Sequence, residues 1–308
     1  MRTRALAIVL TAATLAVPAV AKAQSPTPHA PTRTGYVESN GVRYYYEIHG
    51  AGEPLLLLHG GLGSIDMFAP ILPTLARHRE VIAVDLHGHG RTSLGARPDV
   101  DMIAAGDDMD RILEEIGYDR VDVMGYSFGG GVALRLATQH PERVRRLVIV
   151  SAGFAAEGFY ADMRAMQAHV GAAMMEQMRE TPMYQGYVRV APHPEEFPRL
   201  LDAMGAFMRA DYDWSDEVRG LAMPTMLVYG DSDMFRPEHI VEFYQLLGGG
   251  LRDAGWMREH MSRNRLAIVP DLTHYEMFLS PVLASTVLPF LNGESNAPSW
   301  AAQVQQSE

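Results

Sequence analysis

The chain has 308 residues, of which 47% are hydrophobic and 20% charged, and its formal net charge is −11. Lys22 is its only lysine, and it contains no cysteine. Binding to nucleic acid or to anionic membrane surfaces requires a basic patch, so this acidic composition argues against both. The lack of cysteine excludes disulfides, thiol nucleophiles, cysteine metal sites and lipid-modified cysteines.

Residues 1–23 have the pattern of a secretory signal peptide. Arg2 and Arg4 precede an apolar run, residues 5–20, and Ala21-Lys22-Ala23 supplies a small-residue cleavage site. The apolar run is too short to span a bilayer comfortably. We therefore expect cleavage and export, which would leave a periplasmic or secreted protein without a membrane anchor. Cleavage would change the formal net charge from −11 to −14.

Polar segments rich in proline and small residues are expected at both ends of the mature chain. We predict a disordered linker at 24–34 and a disordered tail at 293–308. Residues 35–292 are enough for one large core with an insertion. This region begins with alternating residues around Asn40-Gly41, which predicts a β-hairpin over Tyr36 to Ile48.

After the hairpin, short continuous apolar segments predict strands that are buried on both faces, as in parallel sheets. They are Pro54–Leu58, Val81–Val84, Val121–Met124, Val144–Val150, Pro224–Tyr229 and Leu266–Val269. Helical patterns lie between most of them, at Phe68–Arg77, Met102–Ile116, Phe128–Gln139, Pro237–Leu247 and Pro281–Leu291. This alternation predicts an α/β fold with a mostly parallel, doubly wound sheet and an N-terminal antiparallel hairpin.

One long segment, residues 152–222, shows no buried-strand pattern. We predict a helical cap inserted over the C-terminal edge of the sheet, which divides the core into 35–151 and 223–292. Methionines recur within the cap at loosely helical spacing: Met163, Met166, Met174, Met175, Met178, Met183, Met204 and Met208. Each of them could simply pack the cap against the core. Together they indicate an adaptable apolar wall, because methionine is flexible and polarisable.

The segment Gly125-Tyr126-Ser127-Phe128-Gly129 follows a predicted buried strand and precedes a predicted helix. In a G-x-S-x-G turn of this kind, a sharp change of direction lifts the serine hydroxyl above the sheet. The glycines are needed because side chains there would collide with the neighbouring strand and helix. The pattern singles out Ser127 as a nucleophile, although a five-residue pattern also arises by chance.

Further motifs follow other predicted strands, in chain order. They are His59-Gly60-Gly61, the segment Asp85 to Arg91, the segment Gly230 to Asp233, and His274. With these motifs and the Ser127 turn, the chain resembles the α/β-hydrolase superfamily over nearly all of residues 35–292. The resemblance implies the α/β-hydrolase fold and a Ser-Asp-His catalytic triad.

The chemistry explains why such a triad is needed. A serine hydroxyl is a poor nucleophile near neutral pH and needs a base to take its proton. An imidazole can accept that proton and return it to the leaving group, which is the role implied for His274. A carboxylate orients the imidazole. The family places this acid three residues after the strand-end glycine, which implies Asp233, with Asp231 as the alternative.

The resemblance also implies two backbone N–H donors for the oxyanion, each contributing about 3 kcal/mol. They are those of Phe128 and Gly61, with Leu62 as the alternative to Gly61 if the loop is shifted by one residue. His59 is expected to hold loops together through hydrogen bonds.

No cofactor and no metal are expected. His87 and His89 form an H-x-H pair, but they fall in the family's structural loop and have no carboxylate or thiol partner nearby except Asp85. The glycine-rich segments lack the residues of the nucleotide-binding motifs.

We therefore expect an exported serine hydrolase that cleaves small-molecule carboxylic esters or lactones through an acyl-enzyme at Ser127. A perhydrolase, a carbon–carbon bond hydrolase and an aminopeptidase remain alternatives on the same triad. A non-catalytic binding protein with this fold is the alternative of another class. Members of the superfamily with dehalogenase or epoxide hydrolase activity have aspartate at the nucleophile position of this turn, so Ser127 argues against both activities. No pattern indicates the oligomeric state.

Overall fold

The computed structural model describes residues 30–295. Eight strands form one sheet in the order β1-β2-β4-β3-β5-β6-β7-β8. They are β1 Arg33–Ser39, β2 Val42–Gly50, β3 Pro54–Leu58, β4 Glu80–Val84, β5 Val121–Tyr126, β6 Val144–Val150, β7 Thr225–Ser232 and β8 Arg265–Thr273. β2 is antiparallel to both of its neighbours, β1 and β4. All other neighbouring strands in the sheet, from β4 to β8, run parallel to each other.

Ten α-helices accompany the sheet within residues 30–295. They are α1 Leu72–Ala76, α2 Met102–Ile116, α3 Phe128–Gln139, α4 Ala161–Gln167, α5 Met175–Met178, α6 Pro182–Val190, α7 Phe197–Arg209, α8 Ser215–Arg219, α9 Pro237–Leu246 and α10 Pro281–Asn292. None of the helices across residues 30–295 combines the length and the apolarity needed to cross a membrane.

The predicted hairpin is confirmed. Ser39 and Val42 pair across a two-residue turn, in which Asn40 and Gly41 have φ angles of 46° and 76°. Positive φ at both central positions is the geometry that matches the twist of the flanking strands, and asparagine followed by glycine adopts it readily.

The predicted α/β fold is confirmed as well. β3 is almost fully buried and β5 is buried throughout, as expected for strands covered on both faces. One apolar core includes α2, α3 and α9, and a second core includes α1 and α10. The sheet is therefore packed between helices on both sides.

The helix predicted from Phe68 to Arg77 is shorter than expected. Ile65–Phe68 forms a 3-10 turn, and α1 covers only Leu72–Ala76. Pro70 and Pro73 have no N–H group to donate, which limits the helical ladder in this stretch.

Five helices, α4 to α8, lie between β6 and β7, and we call them the cap helices. α7 has the largest buried face of the five, because Phe197, Leu200, Leu201 and Met204 are almost completely buried. These side chains join the same core as α2 and α3, so α7 connects the cap to the core of the protein.

The predicted signal peptide, residues 1–23, lies outside the described residues, as do most of the predicted linker and tail. β1 starts at Arg33, inside the segment predicted as a linker, because Thr32 extends the pairing with two hydrogen bonds to the Ile48 carbonyl. At the other end, Gly293 caps α10 with a φ of 73°.

Candidate active site

Ser127 lies at the junction of β5 and α3 with a φ of 53° and a ψ of −119°. Such a backbone is rare for a residue with a side chain and costs about 1–3 kcal/mol. The neighbouring glycines make the turn possible. A Cβ on Gly125 would lie 2.1 Å from the Gly129 carbonyl oxygen, and one on Gly129 would lie 2.4 Å from the His59 carbonyl oxygen. The turn therefore requires glycine at both positions.

The three residues predicted for the triad lie together. Ser127 Oγ is 3.0 Å from His274 Nε2, and His274 Nδ1 is 3.2 Å from Asp233 Oδ1. β7 and β8 extend past the predicted strand ends, with Ser232 paired to Thr273 after a bulge. Asp233 and His274 directly follow these two strands, so the strand pairing brings the acid and the imidazole side by side.

Asp233 is buried, and its carboxylate is fully occupied. Besides His274, the Ser151 hydroxyl donates to Asp233 Oδ2 at 2.6 Å, and the Met234 N–H donates to Oδ1 at 2.8 Å. Burial by itself raises the pKa of the Asp233 carboxyl, but His274 and Ser151 lower it to below its usual range. Asp233 therefore stays ionised at neutral pH. Asp231 is exposed and accepts from the Asp271 N–H instead.

Two side chains that the sequence did not single out support this geometry. Ser151, the residue after β6, donates a hydrogen bond to the acid. The Tyr126 hydroxyl donates to the His274 carbonyl at 2.6 Å, and the two rings lie 5.2 Å apart. Neither partnership is visible as a local pattern, because these residues are 82 and 148 positions from their partners.

The N–H groups of Gly61 and Phe128 donate no hydrogen bond within residues 30–295. Both residues line the cavity above Ser127. A Cβ on Gly61 would lie 3.6 Å from the Phe128 Cβ, so the two backbones approach each other closely. The N–H of Leu62, the predicted alternative to Gly61, has no partner in this part of the chain either.

His59 orients the loop that carries Gly61. Its Nε2 accepts from the Leu86 N–H at 2.9 Å, which leaves the proton on Nδ1, and Nδ1 donates to the Gly60 carbonyl at 2.8 Å. In a trans peptide the carbonyl and the next N–H point in opposite directions. Fixing the Gly60 carbonyl therefore also fixes the direction of the Gly61 N–H.

A cavity of about 480 Å³ opens above Ser127 and His274. Its walls are largely apolar: Met67, Met102, Phe159, Met183, Met204, Phe207, Met208, Met234, Phe235, Phe278 and Leu279. Of the eight methionines noted around the predicted cap, only Met183, Met204 and Met208 line it, and core residues supply the other three. The volume lies in the range of about 300–1,000 Å³ that is typical of small-molecule sites.

His87 and His89, the H-x-H pair, each use one ring nitrogen for a contact within the loop. His87 Nε2 lies 2.9 Å from the Leu94 carbonyl oxygen, and His89 Nδ1 lies 2.8 Å from the His87 carbonyl oxygen. Among residues 30–295, one group of three side chains could offer ligand atoms to a metal: Asp110, His140 and Glu142. Arg143 already pairs with Asp110, and none of these residues lines the cavity above Ser127.

A family model described as alpha/beta hydrolase fold matches residues 53–251, more than half of the chain. The chain belongs to the α/β-hydrolase family. Among curated proteins, this hydrolase is 29% identical over 238 residues to one named "Putative carbamate hydrolase RutD" from Azorhizobium caulinodans, with 71% of this chain and 87% of that protein covered.

Two solved structures share the fold of this hydrolase. Carboxylesterase CesB from Bacillus subtilis superposes with a TM-score of 0.63 at 19% identity, over 85% of this chain and 92% of that chain. The enol-lactonase from Burkholderia xenovorans LB400 superposes with a TM-score of 0.62 at 20% identity, over 84% of this chain and all of that one.

Proposed function

We propose that this hydrolase cleaves carboxylic esters or lactones through an acyl-enzyme formed on Ser127. The observation that carries the proposal is the continuous chain of hydrogen bonds from Ser127 through His274 to Asp233, at the floor of an apolar cavity. A serine that is aligned with an imidazole and a buried carboxylate is equipped for attack on a carbonyl carbon.

In the first half of the reaction, Ser127 Oγ attacks the carbonyl carbon and its proton passes to His274 Nε2. His274 then gives this proton to the departing alcohol oxygen, which leaves the acyl group on Ser127. In the second half, water attacks the acyl carbon, and His274 takes the proton of the water and returns it to Ser127 Oγ. The ionised Asp233 stabilises the imidazolium in both halves.

The oxyanion formed in each half is assigned to the N–H groups of Gly61 and Phe128. Both groups lack protein partners in the described part of the chain, line the same cavity and belong to closely spaced backbones. Each such donor contributes about 3 kcal/mol to the stability of the transition state. Gly61 is preferred to Leu62 because it follows the peptide whose carbonyl His59 holds.

The test is hydrolysis of p-nitrophenyl esters of graded chain length, together with lactone, carbamate, amide and vinylogous 1,5-diketone substrates. Ester or lactone turnover is expected to exceed the others, and Ser127→Ala is expected to lower kcat by at least about 10⁴-fold. A fluorophosphonate should label the native protein and not Ser127→Ala. Undiminished ester turnover by Ser127→Ala would contradict the acyl-enzyme, and absence of labelling would favour a binding protein.

Export is proposed separately, from residues 1–23. N-terminal sequencing of the mature protein is expected to begin at Gln24, and enzyme activity is expected in the periplasm or the medium. A protein retained in the cytoplasm with Met1 or Arg2 at its N-terminus would contradict export without affecting the proposed chemistry.

A further inference from the structure

Apart from Tyr126, Ser127, His274 and Tyr275, the wall of the apolar cavity contains three polar side chains. They are Arg164 and Gln167 of α4 and Tyr212, which follows α7, and we call them the polar wall. Residues three positions apart lie on one face of a helix, so Arg164 and Gln167 are neighbours. Arg164 Nη2 donates to Asp211, the residue next to Tyr212, at 2.6 Å, which brings the third member to the same side.

The polar wall makes few hydrogen bonds to other protein groups among residues 30–295. The guanidinium of Arg164 has five N–H donors, and its bond to Asp211 is the one that its side chain makes within residues 30–295. Over the same residues, neither the Gln167 amide nor the Tyr212 hydroxyl has a hydrogen-bond partner. Polar groups placed in this way within an apolar pocket fix the orientation of a ligand.

The ion pair does not by itself account for the position of Arg164. The Asp211 side chain is 88% exposed, and exposed ion pairs contribute only about 0–1 kcal/mol. Asp211 does, however, partly neutralise the charge of Arg164, which reduces the attraction for a second carboxylate. Arg164 and Tyr212 remain donors, so an uncharged oxygen acceptor fits the polar wall best.

The geometry points to a substrate that carries a neutral carbonyl oxygen away from its scissile ester, bound by Arg164, Gln167 and Tyr212. This inference rests on the proposed ester or lactone hydrolysis and adds the chemical class of the substrate. It predicts that apolar substrates with one well-placed ketone are preferred to plain hydrocarbon esters of equal length.

The test compares p-nitrophenyl hexanoate with its 4-oxo and 5-oxo derivatives, and hexyl acetate with its 4-oxo and 5-oxo derivatives, so that both sides of the scissile bond are sampled. At least one oxo ester is expected to have a kcat/KM about tenfold above that of its parent. Calorimetric titration of Ser127→Ala with the same esters should show about tenfold tighter binding. Equal kcat/KM and equal Kd throughout both series would overturn the inference.

Three variants test which side chains cause the preference for oxo esters. Tyr212→Phe removes only the hydroxyl, and Arg164→Met keeps the length of the side chain without its donors; each is expected to lower the oxo-to-parent ratio at least threefold. Asp211→Asn removes the ion pair and leaves Arg164 in place, so it should keep the ratio. If Asp211→Asn abolished the preference as fully as Arg164→Met, Arg164 would act only through its ion pair and the inference would be wrong.

A carboxylate probe tests the charge of the ligand. Preference for the p-nitrophenyl half-ester of adipic acid over the 5-oxohexanoate would overturn the assignment to a neutral oxygen. Failure here is separable from failure of the proposed function. Hydrolysis and fluorophosphonate labelling without any oxo preference reject the polar wall alone, whereas neither hydrolysis nor labelling rejects the esterase itself.

Discussion

Ser151 acts on the site through one hydrogen bond. It lies fully buried after β6 with a φ of 50°, and its hydroxyl donates to the Asp233 oxygen that His274 does not use. Hydrogen bonds to a charged group contribute about 1.5–3 kcal/mol. Ser151 is therefore a positioning residue, since it holds the carboxylate in its ionised form and in the orientation that His274 needs.

We predict that Ser151→Ala lowers kcat roughly tenfold and leaves KM within about twofold, because the lost bond acts on the acid and not on the substrate. The pKa of Asp233 lies below its usual range, so the carboxylate is ionised above that pKa and becomes protonated as the pH falls through it. Loss of the Ser151 bond raises this pKa. The part of the acid loss of kcat that comes from protonation of Asp233 should then begin at higher pH.

The control for this variant is Ser285→Ala, whose hydroxyl donates to the Val282 carbonyl on the surface of α10. Its pH profile should match that of the unmodified enzyme. If kcat and its pH profile in Ser151→Ala, measured with p-nitrophenyl esters between pH 4 and pH 8, both equalled those of the unmodified enzyme, Ser151 would not act on Asp233.

At the scale of elements, the site depends on how closely α3 approaches β3. Gly129, in the first turn of α3, lies against the backbone of Leu58 and His59, where a Cβ would be 2.4–2.5 Å from two carbonyl oxygens. Backbone atoms cannot move aside as the end of a flexible side chain can. The direct packing of α3 on the end of β3 therefore fixes the turn that carries Ser127.

We predict that Gly129→Ala destabilises the protein by about 1–3 kcal/mol or more, because α3 must move away from β3. Gly186 is the matched control. It lies inside α6, has no heavy atom within 4 Å of its Cβ position, and does not have a positive φ. Gly186→Ala should stabilise by about 0.5–1 kcal/mol, since alanine loses less backbone entropy in a helix.

Urea denaturation of both variants measures the difference. A Gly129→Ala protein as stable as the unmodified protein would contradict the close approach of α3 to β3, and a strongly destabilised Gly186→Ala protein would contradict the open space beside α6.

At the scale of the whole molecule, buried histidines predict acid lability. Burial lowers the pKa of His59 and His239 to about 4 and that of His89 to about 3, against about 6.5 in an unfolded chain. Between pH 6.5 and pH 4 the unfolded chain therefore binds protons that the folded protein does not. Asp85 acts in the opposite direction below about pH 6, because burial raises its pKa to about 6.

The unfolded state then binds about two more protons than the folded state near pH 5, so the free energy of unfolding should fall by about 3 kcal/mol for each pH unit of acidification. Urea denaturation at pH 7, 6 and 5 measures this slope. His239→Gln removes one titrating group and should reduce the slope by about 1.4 kcal/mol per pH unit. A free energy of unfolding that is constant from pH 7 to pH 5 would contradict the burial of these neutral rings.

Much of the fold could be predicted from the sequence because its signals are local. The Asn40-Gly41 turn, the continuous apolar strands and the glycines around Ser127 each reflect a constraint that acts within a few residues. The resemblance of the motifs then indicated Asp233 and His274, and the structure brings both next to Ser127. Their catalytic roles stay predictions that the proposed experiments test.

The tertiary structure alone decided which side chains surround that site. The partnership of Ser151 with Asp233, the side-by-side ends of β7 and β8, and the polar wall join residues far apart in the chain. The methionine pattern of the cap predicted only part of the cavity lining, since three of the six methionines that line it come from the core. Local patterns determine strands, turns and helices, whereas the lining of a cavity depends on how those elements pack together.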